Sequence, residues 1–126
     1  MSIISFLCVA LGGAFGSSGR YAISLIPLKM DFPFLTLITN IMGAVLIGFI
    51  TGVVSSRDGV SQNTVLFWKT GVCGGFTTFS TFSLEAFSLL ERKSWISAGS
   101  YMIISVVFCV AGILCGRKLA AFFSAL

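Results

Sequence analysis

The chain has 126 residues, of which 56% are hydrophobic and only 10% are charged, and its formal net charge is +4 with no histidine. A soluble domain carries roughly 25% charged residues because its surface faces water, so this composition excludes a soluble globular protein. The eight Lys and Arg residues form no basic cluster, so the positive net charge does not indicate nucleic-acid binding. The apolar excess must therefore face a lipid bilayer.

Four apolar stretches, separated by short connectors, account for most of the sequence. Each has about the ~20 residues that a helix needs to cross the hydrocarbon core, and none alternates as a barrel strand does. Lipid offers backbone amides no partner, so the spans must be helices. We predict an all-α membrane protein with four transmembrane helices per chain, in a single transmembrane domain at 1–126 with spans at about 3–26, 34–54, 65–90 and 95–115.

The first two spans differ in the polar groups that they carry. The first contains no carboxylate, and Arg20 near its end is expected to reach the membrane surface by snorkelling. The second carries Thr36 and Asn40 one helical turn apart in an otherwise apolar run. The Asn40 amide can donate two hydrogen bonds and accept two. It either joins two helices or lines a pore as a donor, and the sequence leaves both interpretations open.

The composition of the third span disfavours a regular helix in lipid. It contains the adjacent glycines Gly74 and Gly75, and hydroxyl residues occupy five of the seven positions from Thr77 to Ser83. This composition predicts a helix broken near the middle of the membrane, which is tolerated only where the backbone is buried in protein or lines a wet cavity. Carbonyls exposed at such a break can bind a cation, and the amides that begin the next half-helix can face an anion.

Three phenylalanines in this span, Phe76, Phe79 and Phe82, are three residues apart and are expected to form a stripe on one face of the half-helix. The edge of a phenyl ring is positive, so rings presented edge-on can contact a small anion without a fixed charge that would trap it. A stripe of this kind is also typical of ordinary helix packing. The hydroxyl residues between the rings favour the anion interpretation.

The fourth span repeats the pattern of the second, with Tyr101 and Ser105 four residues apart and both able to donate through hydroxyls. Glu85 and Lys69, near opposite ends of the third span, are expected to snorkel to the membrane surfaces. Glu85 has no second carboxylate or histidine for acid–base chemistry, so we expect no enzymatic activity. No Lys or Arg is expected in the middle of a pore.

The cationic residues divide equally between the two ends of the predicted bundle. Four lie on the side of the termini (Arg57, Lys69, Arg117 and Lys118), and four lie on the opposite side (Arg20, Lys29, Arg92 and Lys93). Orientation normally follows an excess of Lys and Arg in cytoplasmic loops, and this count shows no excess. The balance predicts insertion in both orientations and hence an antiparallel, dual-topology homodimer, although a shift of a few residues in the span boundaries would restore a bias.

Three Gly-x-x-x-Gly pairs predict close helix contacts, because glycines at that spacing share one helix face and let another backbone approach. The pairs are Gly12/Gly16, Gly48/Gly52 and Gly112/Gly116.

Along nearly its whole length the sequence resembles the Fluc family of bacterial fluoride channels. The string Gly74-Gly75-Phe76-Thr77-Thr78-Phe79-Ser80-Thr81-Phe82 is similar to the family's signature and is the most specific match. Further matches are Gly12-Gly13, Gly16 and Arg20-Tyr21 in the first span, and Thr36-Leu37, Asn40 and Gly43 in the second. Leu35 and Ala44 depart from the family's pattern, in which a glycine and a serine are common at these positions.

The resemblance implies a fluoride-selective channel, an antiparallel homodimer in the bacterial inner membrane that exports F⁻ passively and so relieves fluoride toxicity. It implies two fluoride pathways lined by Phe79 and Phe82, with Asn40 nearby and a polar track of Thr36, Thr81, Tyr101 and Ser105. It also implies a structural sodium ion (Na⁺) at the dimer centre, held by the backbone carbonyls of Gly74 and Thr77. Arg20 and Glu85 are assigned supporting roles.

Two other functions fit parts of the sequence. A small multidrug-type exporter also has four short helices, but it exchanges cations for protons through a carboxylate deep in its first span, and residues 3–26 contain none. A non-transporting membrane assembly subunit fits the composition. It explains neither the predicted break in the third span nor the hydroxyl residues there.

Overall fold

A computed structural model describes residues 2–57 and 59–125, so the ends of the predicted domain and position 58 lie outside the described residues. Within these ranges the chain is helical and contains no β-strand, which confirms the all-α class. The long helices are α1 (Ile3–Ser24), α2 (Phe34–Ser56) and α6 (Trp95–Ser124). Between α2 and α6 lie α3 (Gln62–Val65), a π-helical segment (Leu66–Cys73), α4 (Gly74–Phe76) and α5 (Phe79–Glu91).

Three of these helices, α1, α2 and α6, are long and apolar enough to cross a membrane. The third apolar stretch is divided into shorter pieces. Helix α6 continues to Ser124, past the predicted end of the fourth span at residue 115. The last turns of α6 pack against α2, where the fully buried Ala120 lies against Gly52.

The helices pack as two pairs, in which α1 lies against the π-helical segment and α4, and α2 lies along α6. Both contacts depend on glycines, which have no side chain to keep the two backbones apart. A Cβ atom on Gly12 would lie 3.0 Å from the Gly71 Cα atom, and one on Gly116 would lie 2.7 Å from the Phe49 amide nitrogen. These glycines therefore allow backbone-to-backbone contact within one chain, as the Gly-x-x-x-Gly pairs predicted.

The π-helical segment changes which side chains of the third stretch share a face. Its hydrogen bonds join residues five apart rather than four, so each turn holds more residues than a turn of α-helix. The usual helical period therefore misplaces side chains across residues 66–73. Segments of this kind occur frequently at functional sites.

Candidate functional site

The helix of the third stretch is interrupted at Thr77 and Thr78. Thr77 has φ −81° and ψ 157°, Thr78 has φ −149° and ψ 113°, and α5 begins at Phe79. The Thr78 hydroxyl accepts a hydrogen bond from the Thr81 amide at 3.2 Å and donates to the Thr81 hydroxyl at 3.0 Å. A threonine at this position satisfies an amide that the first turn of a helix leaves unpaired. Thr78 therefore caps a new helix.

Asn40 of α2 pairs with both backbone groups of Thr78. The Thr78 amide donates to Asn40 Oδ1 at 2.8 Å, and Asn40 Nδ2 donates to the Thr78 carbonyl at 3.1 Å. These bonds replace the helical bonds that the interruption removes, and buried backbone groups need such partners. Helix α2 comes close enough because Gly43 has no side chain. A Cβ atom at this position would collide with the Thr77 methyl group. The side chain of Asn40 thus holds the interrupted backbone open.

At the interruption, two carbonyl groups lose the amide donors that they would have in a continuous helix. The Thr78 amide, which would reach the Gly74 carbonyl in a continuous helix, donates to Asn40. The Thr81 amide, which would reach the Thr77 carbonyl, donates to the Thr78 hydroxyl. Unwound carbonyls of this kind are ligands for Na⁺, so Gly74 and Thr77 fit the predicted ion. Across residues 2–57 and 59–125 no group of three or more His, Cys, Asp or Glu could hold a metal by side chains.

An open cavity of about 350 Å³ lies beside the interruption, between α2, the third stretch and α6. It brings together six of the predicted site residues: Asn40, Gly74, Thr77, Phe79, Phe82 and Ser105. Ala44 is also part of the wall. Apart from one lysine, Lys69, the lining consists of uncharged donors, carbonyl groups and aromatic rings on an apolar background.

Phe79 and Phe82 of α5, which both line this cavity, form an aromatic line with Tyr101 of α6. Phe79 is 79% exposed, and its ring centroid lies 5.5 Å from that of Phe82, with 41° between the ring planes. The Phe82 ring lies 5.1 Å from the Tyr101 ring. The predicted stripe of three is wrong for Phe76, which ends α4 and lies against Gly19 of α1. The interruption separates Phe76 from the other two rings.

Ser105 has a buried hydroxyl that faces this site. The residue is 5% exposed, and among the described residues its oxygen has no hydrogen-bond partner. Leaving a buried hydroxyl unpaired costs about 1–3 kcal/mol. The Ser105 hydroxyl is therefore an unused donor in a residue of the cavity wall.

A second polar cluster adjoins Phe82. Thr36 donates to Glu85 Oε1 at 2.8 Å, and Tyr101, which is fully buried, donates to Glu85 Oε2 at 2.7 Å. The predicted snorkelling of Glu85 is therefore wrong, because two hydroxyl groups hold its carboxylate inside the bundle through charge-assisted hydrogen bonds. Three helices, α2, α5 and α6, meet at this one side chain.

The remaining predicted residues, Thr81 and Arg20, belong neither to the cavity wall nor to the cluster around Glu85. Thr81 is held by the Thr78 cap and is not part of the cavity wall. Arg20 does not simply reach for the membrane surface, because its Nε donates to the Gly75 carbonyl at 3.3 Å, two residues before the interruption.

Lys69 is a residue whose place the sequence did not reveal. It lies on the wall of the cavity with Asn40 and Ser105, whereas the sequence predicts only that it snorkels to a membrane surface. Its side chain is exposed in the single chain. The direction that residue 69 faces is set by the π-helical segment, which a helical period of 3.6 residues does not anticipate.

Comparison with known proteins places the chain in a family. Residues 7–117 match the family model described as CrcB-like protein, Camphor Resistance (CrcB). The chain is 44% identical over 116 residues to fluoride-specific ion channel FluC 1 of Nitrobacter hamburgensis, covering 90% of this chain and 92% of the relative. It is 41% identical over 119 residues to fluoride-specific ion channel FluC of Methanococcus maripaludis, covering 93% and 96%. With the family model matched over most of its length, the chain belongs to the CrcB-like protein family.

Proposed function

We propose that this chain is a fluoride-selective ion channel that exports F⁻ passively across the membrane and thereby relieves fluoride toxicity. The observation that carries the proposal is the agreement among its relatives, since those compared above are named fluoride-specific ion channels. It is a membrane transport protein and not an enzyme. The cavity beside the interruption supplies a physical reason for the same function.

Fluoride is small and strongly hydrated, so a dry pore must replace its water with hydrogen-bond donors. Asn40 Nδ2 carries two N–H groups, and only one of them is used on Thr78. The unpaired Ser105 hydroxyl and the positive edge of the Phe79 ring add further contacts. Conduction needs contacts that are favourable but individually modest. A larger chloride ion fits a narrow track of such groups poorly.

We assign the fluoride pathway to Phe79, Phe82 and Asn40 with the polar track of Thr36, Thr81, Tyr101 and Ser105. The ring line from Phe79 through Phe82 to Tyr101 supports a continuous route from the cavity to the hydroxyls of Thr36 and Tyr101. Glu85 has a supporting role, because its carboxylate holds these two hydroxyl groups in place. Arg20 supports the backbone just before the interruption.

The proposed assembly is an antiparallel, dual-topology homodimer in the bacterial inner membrane. Each chain is a single multi-pass domain at 1–126 with four spans, and the third is interrupted in mid-membrane at Thr77 and Thr78. The equal division of Lys and Arg supports insertion in both orientations. The cavity is open on one side of a single chain, and a second copy would close it.

We assign a structural Na⁺ to the dimer centre, held by the Gly74 and Thr77 carbonyls of both copies. One chain offers two such carbonyls, so a second copy is needed to complete a coordination shell. The diverted amides of Thr78 and Thr81 support this assignment. The ion supplies a fixed positive charge between the two interruptions when it is bound.

The proposal is tested with purified protein in liposomes loaded with potassium fluoride, using a fluoride-selective electrode after addition of a potassium ionophore. We expect fast fluoride efflux, negligible chloride efflux, and loss of flux in Phe79→Ile or Phe82→Ile. Phe87→Ile is the matched control, because Phe87 lies on the same helix, is 57% exposed and is not part of the cavity wall. Equal efflux of both halides would contradict the selectivity, and unchanged flux in both Ile variants would remove the rings from the pathway.

A further inference from the structure

Lys69 places a positive charge on the wall of the cavity that also holds Asn40, Phe79 and Ser105. Among the residues the structure describes, no carboxylate forms an ion pair with it, and its side chain is exposed. A lysine inside a membrane span is costly unless it faces water or finds a partner. The exposed Lys69 avoids this cost where the cavity opens to water.

The position of Lys69 along the chain separates it from the narrow part of the site. It lies seven residues after Gln62, where α3 begins, and eight residues before Thr77. Side chains of a helix tilt toward its N-terminus, so the Lys69 ammonium group is displaced away from the interruption and toward the membrane surface. It stands at the mouth of the cavity rather than among the donors that contact a dehydrated anion.

We propose that Lys69 is an electrostatic steering residue, whose hydrated ammonium group concentrates fluoride at the mouth of the cavity before the ion loses its water. This inference rests on the proposed fluoride channel and adds a determinant of its rate. A cation at a cleft lined by low-dielectric walls raises the local concentration of anions and the rate at which they arrive. Because Lys69 keeps its water, it attracts the ion without holding it, and so it does not act as the trap that a buried lysine would form.

The effect of a steering charge on flux depends on ionic strength, whereas the effect of a packing or snorkelling lysine does not. The Debye length is about 30 Å at 0.01 M salt and about 3 Å at 1 M, so the effect of Lys69 is large in dilute solution and is screened in concentrated solution. We expect Lys69→Gln to lower the initial fluoride flux about 3- to 10-fold at ~0.01 M ionic strength and less than about 2-fold at ~1 M. Lys69→Arg keeps the charge and the flux, and Lys69→Glu lowers the flux further than Lys69→Gln.

The experiment measures fluoride efflux from liposomes at one low fluoride concentration. Ionic strength is set by the potassium salt of a large impermeant anion, and sucrose balances the osmolarity. Lys118→Gln is the matched control, because it removes the same charge on the same predicted side of the bundle from a residue that is not part of the cavity wall. It therefore also controls for any change in insertion orientation.

The outcomes separate this inference from the channel itself. A wild-type protein without fluoride flux contradicts the proposed function. If the wild type conducts but its flux does not fall as ionic strength rises, the steering role is overturned without any variant. An equal loss of flux in Lys69→Gln at low and high ionic strength overturns it as well, since that result indicates a structural role. A loss confined to low ionic strength and rescued by Lys69→Arg supports it.

Discussion

The bonds between Asn40 and Thr78 allow a quantitative prediction for Asn40→Leu, which keeps the volume of the side chain and removes both hydrogen bonds. The substitution leaves the Thr78 amide and carbonyl without the partners they have at 2.8 Å and 3.1 Å. An unsatisfied buried backbone group costs about 1–3 kcal/mol, or roughly 2–6 kcal/mol for the two. Because Thr78 is only half-buried, we expect a loss near the lower end, about 2–3 kcal/mol.

The matched control is Asn63→Leu, which removes the single hydrogen bond from the Ser5 hydroxyl at 2.9 Å, far from the interruption. A net loss of about 1 kcal/mol or less is expected there. Both variants are purified in detergent, and the free energy of unfolding is measured with denaturant, together with hydrogen exchange at the Thr78 amide. We expect faster exchange at Thr78 and loss of fluoride flux only in Asn40→Leu. Equal stability of the two variants, with unchanged exchange at Thr78, would refute the idea that Asn40 holds the interruption open.

Three further predictions follow from the same geometry. Ser105→Ala removes a buried hydroxyl that has no partner within the described residues. The free energy of unfolding should be unchanged or up to about 1 kcal/mol higher, while fluoride flux falls. A variant that loses both stability and flux would contradict this role. Gly116→Ala should destabilise the protein by about 1–3 kcal/mol, because its Cβ atom would meet backbone atoms of α2. Gly99→Ala on the same helix, with open space around it, should be neutral or stabilising by up to about 1 kcal/mol; similar melting temperatures for the two would contradict the close helix contact. Replacement of Na⁺ by a large organic cation should slow fluoride flux and weaken the dimer, as measured by efflux and cross-linking, and identical behaviour without Na⁺ would remove the ion assigned to Gly74 and Thr77.

The sequence predicts the helical class well because long apolar runs permit only helices in lipid. The Gly-x-x-x-Gly spacing likewise predicts faces for close helix contact, since it depends only on a local helical period. Which helices meet there, α1 with the π-helical segment and α2 with α6, is given by the structure alone. The hydroxyl-rich stretch after Gly74 and Gly75 points to the place where the helix is interrupted at Thr77 and Thr78. These are local features of the chain.

Features that depend on distant contacts could not be read from the sequence. Glu85 turns inward because Thr36, 49 residues away in sequence, offers it a hydroxyl group, and no local pattern predicts that contact. Lys69 reaches the cavity because the π-helical segment alters the direction of its side chain. Phe76 leaves the stripe of phenylalanines because the chain is extended for two residues after it. In each case tertiary packing overrides the ideal helical period.

Selectivity for fluoride is measured most directly in a planar bilayer that contains the purified protein, with potassium fluoride on one side and potassium chloride on the other. If uncharged donors and ring edges conduct a dehydrated fluoride ion, the reversal potential lies far from zero, with the sign that fluoride permeation requires, and chloride carries no measurable current. A reversal potential near zero, with both halides carrying current, would contradict the account.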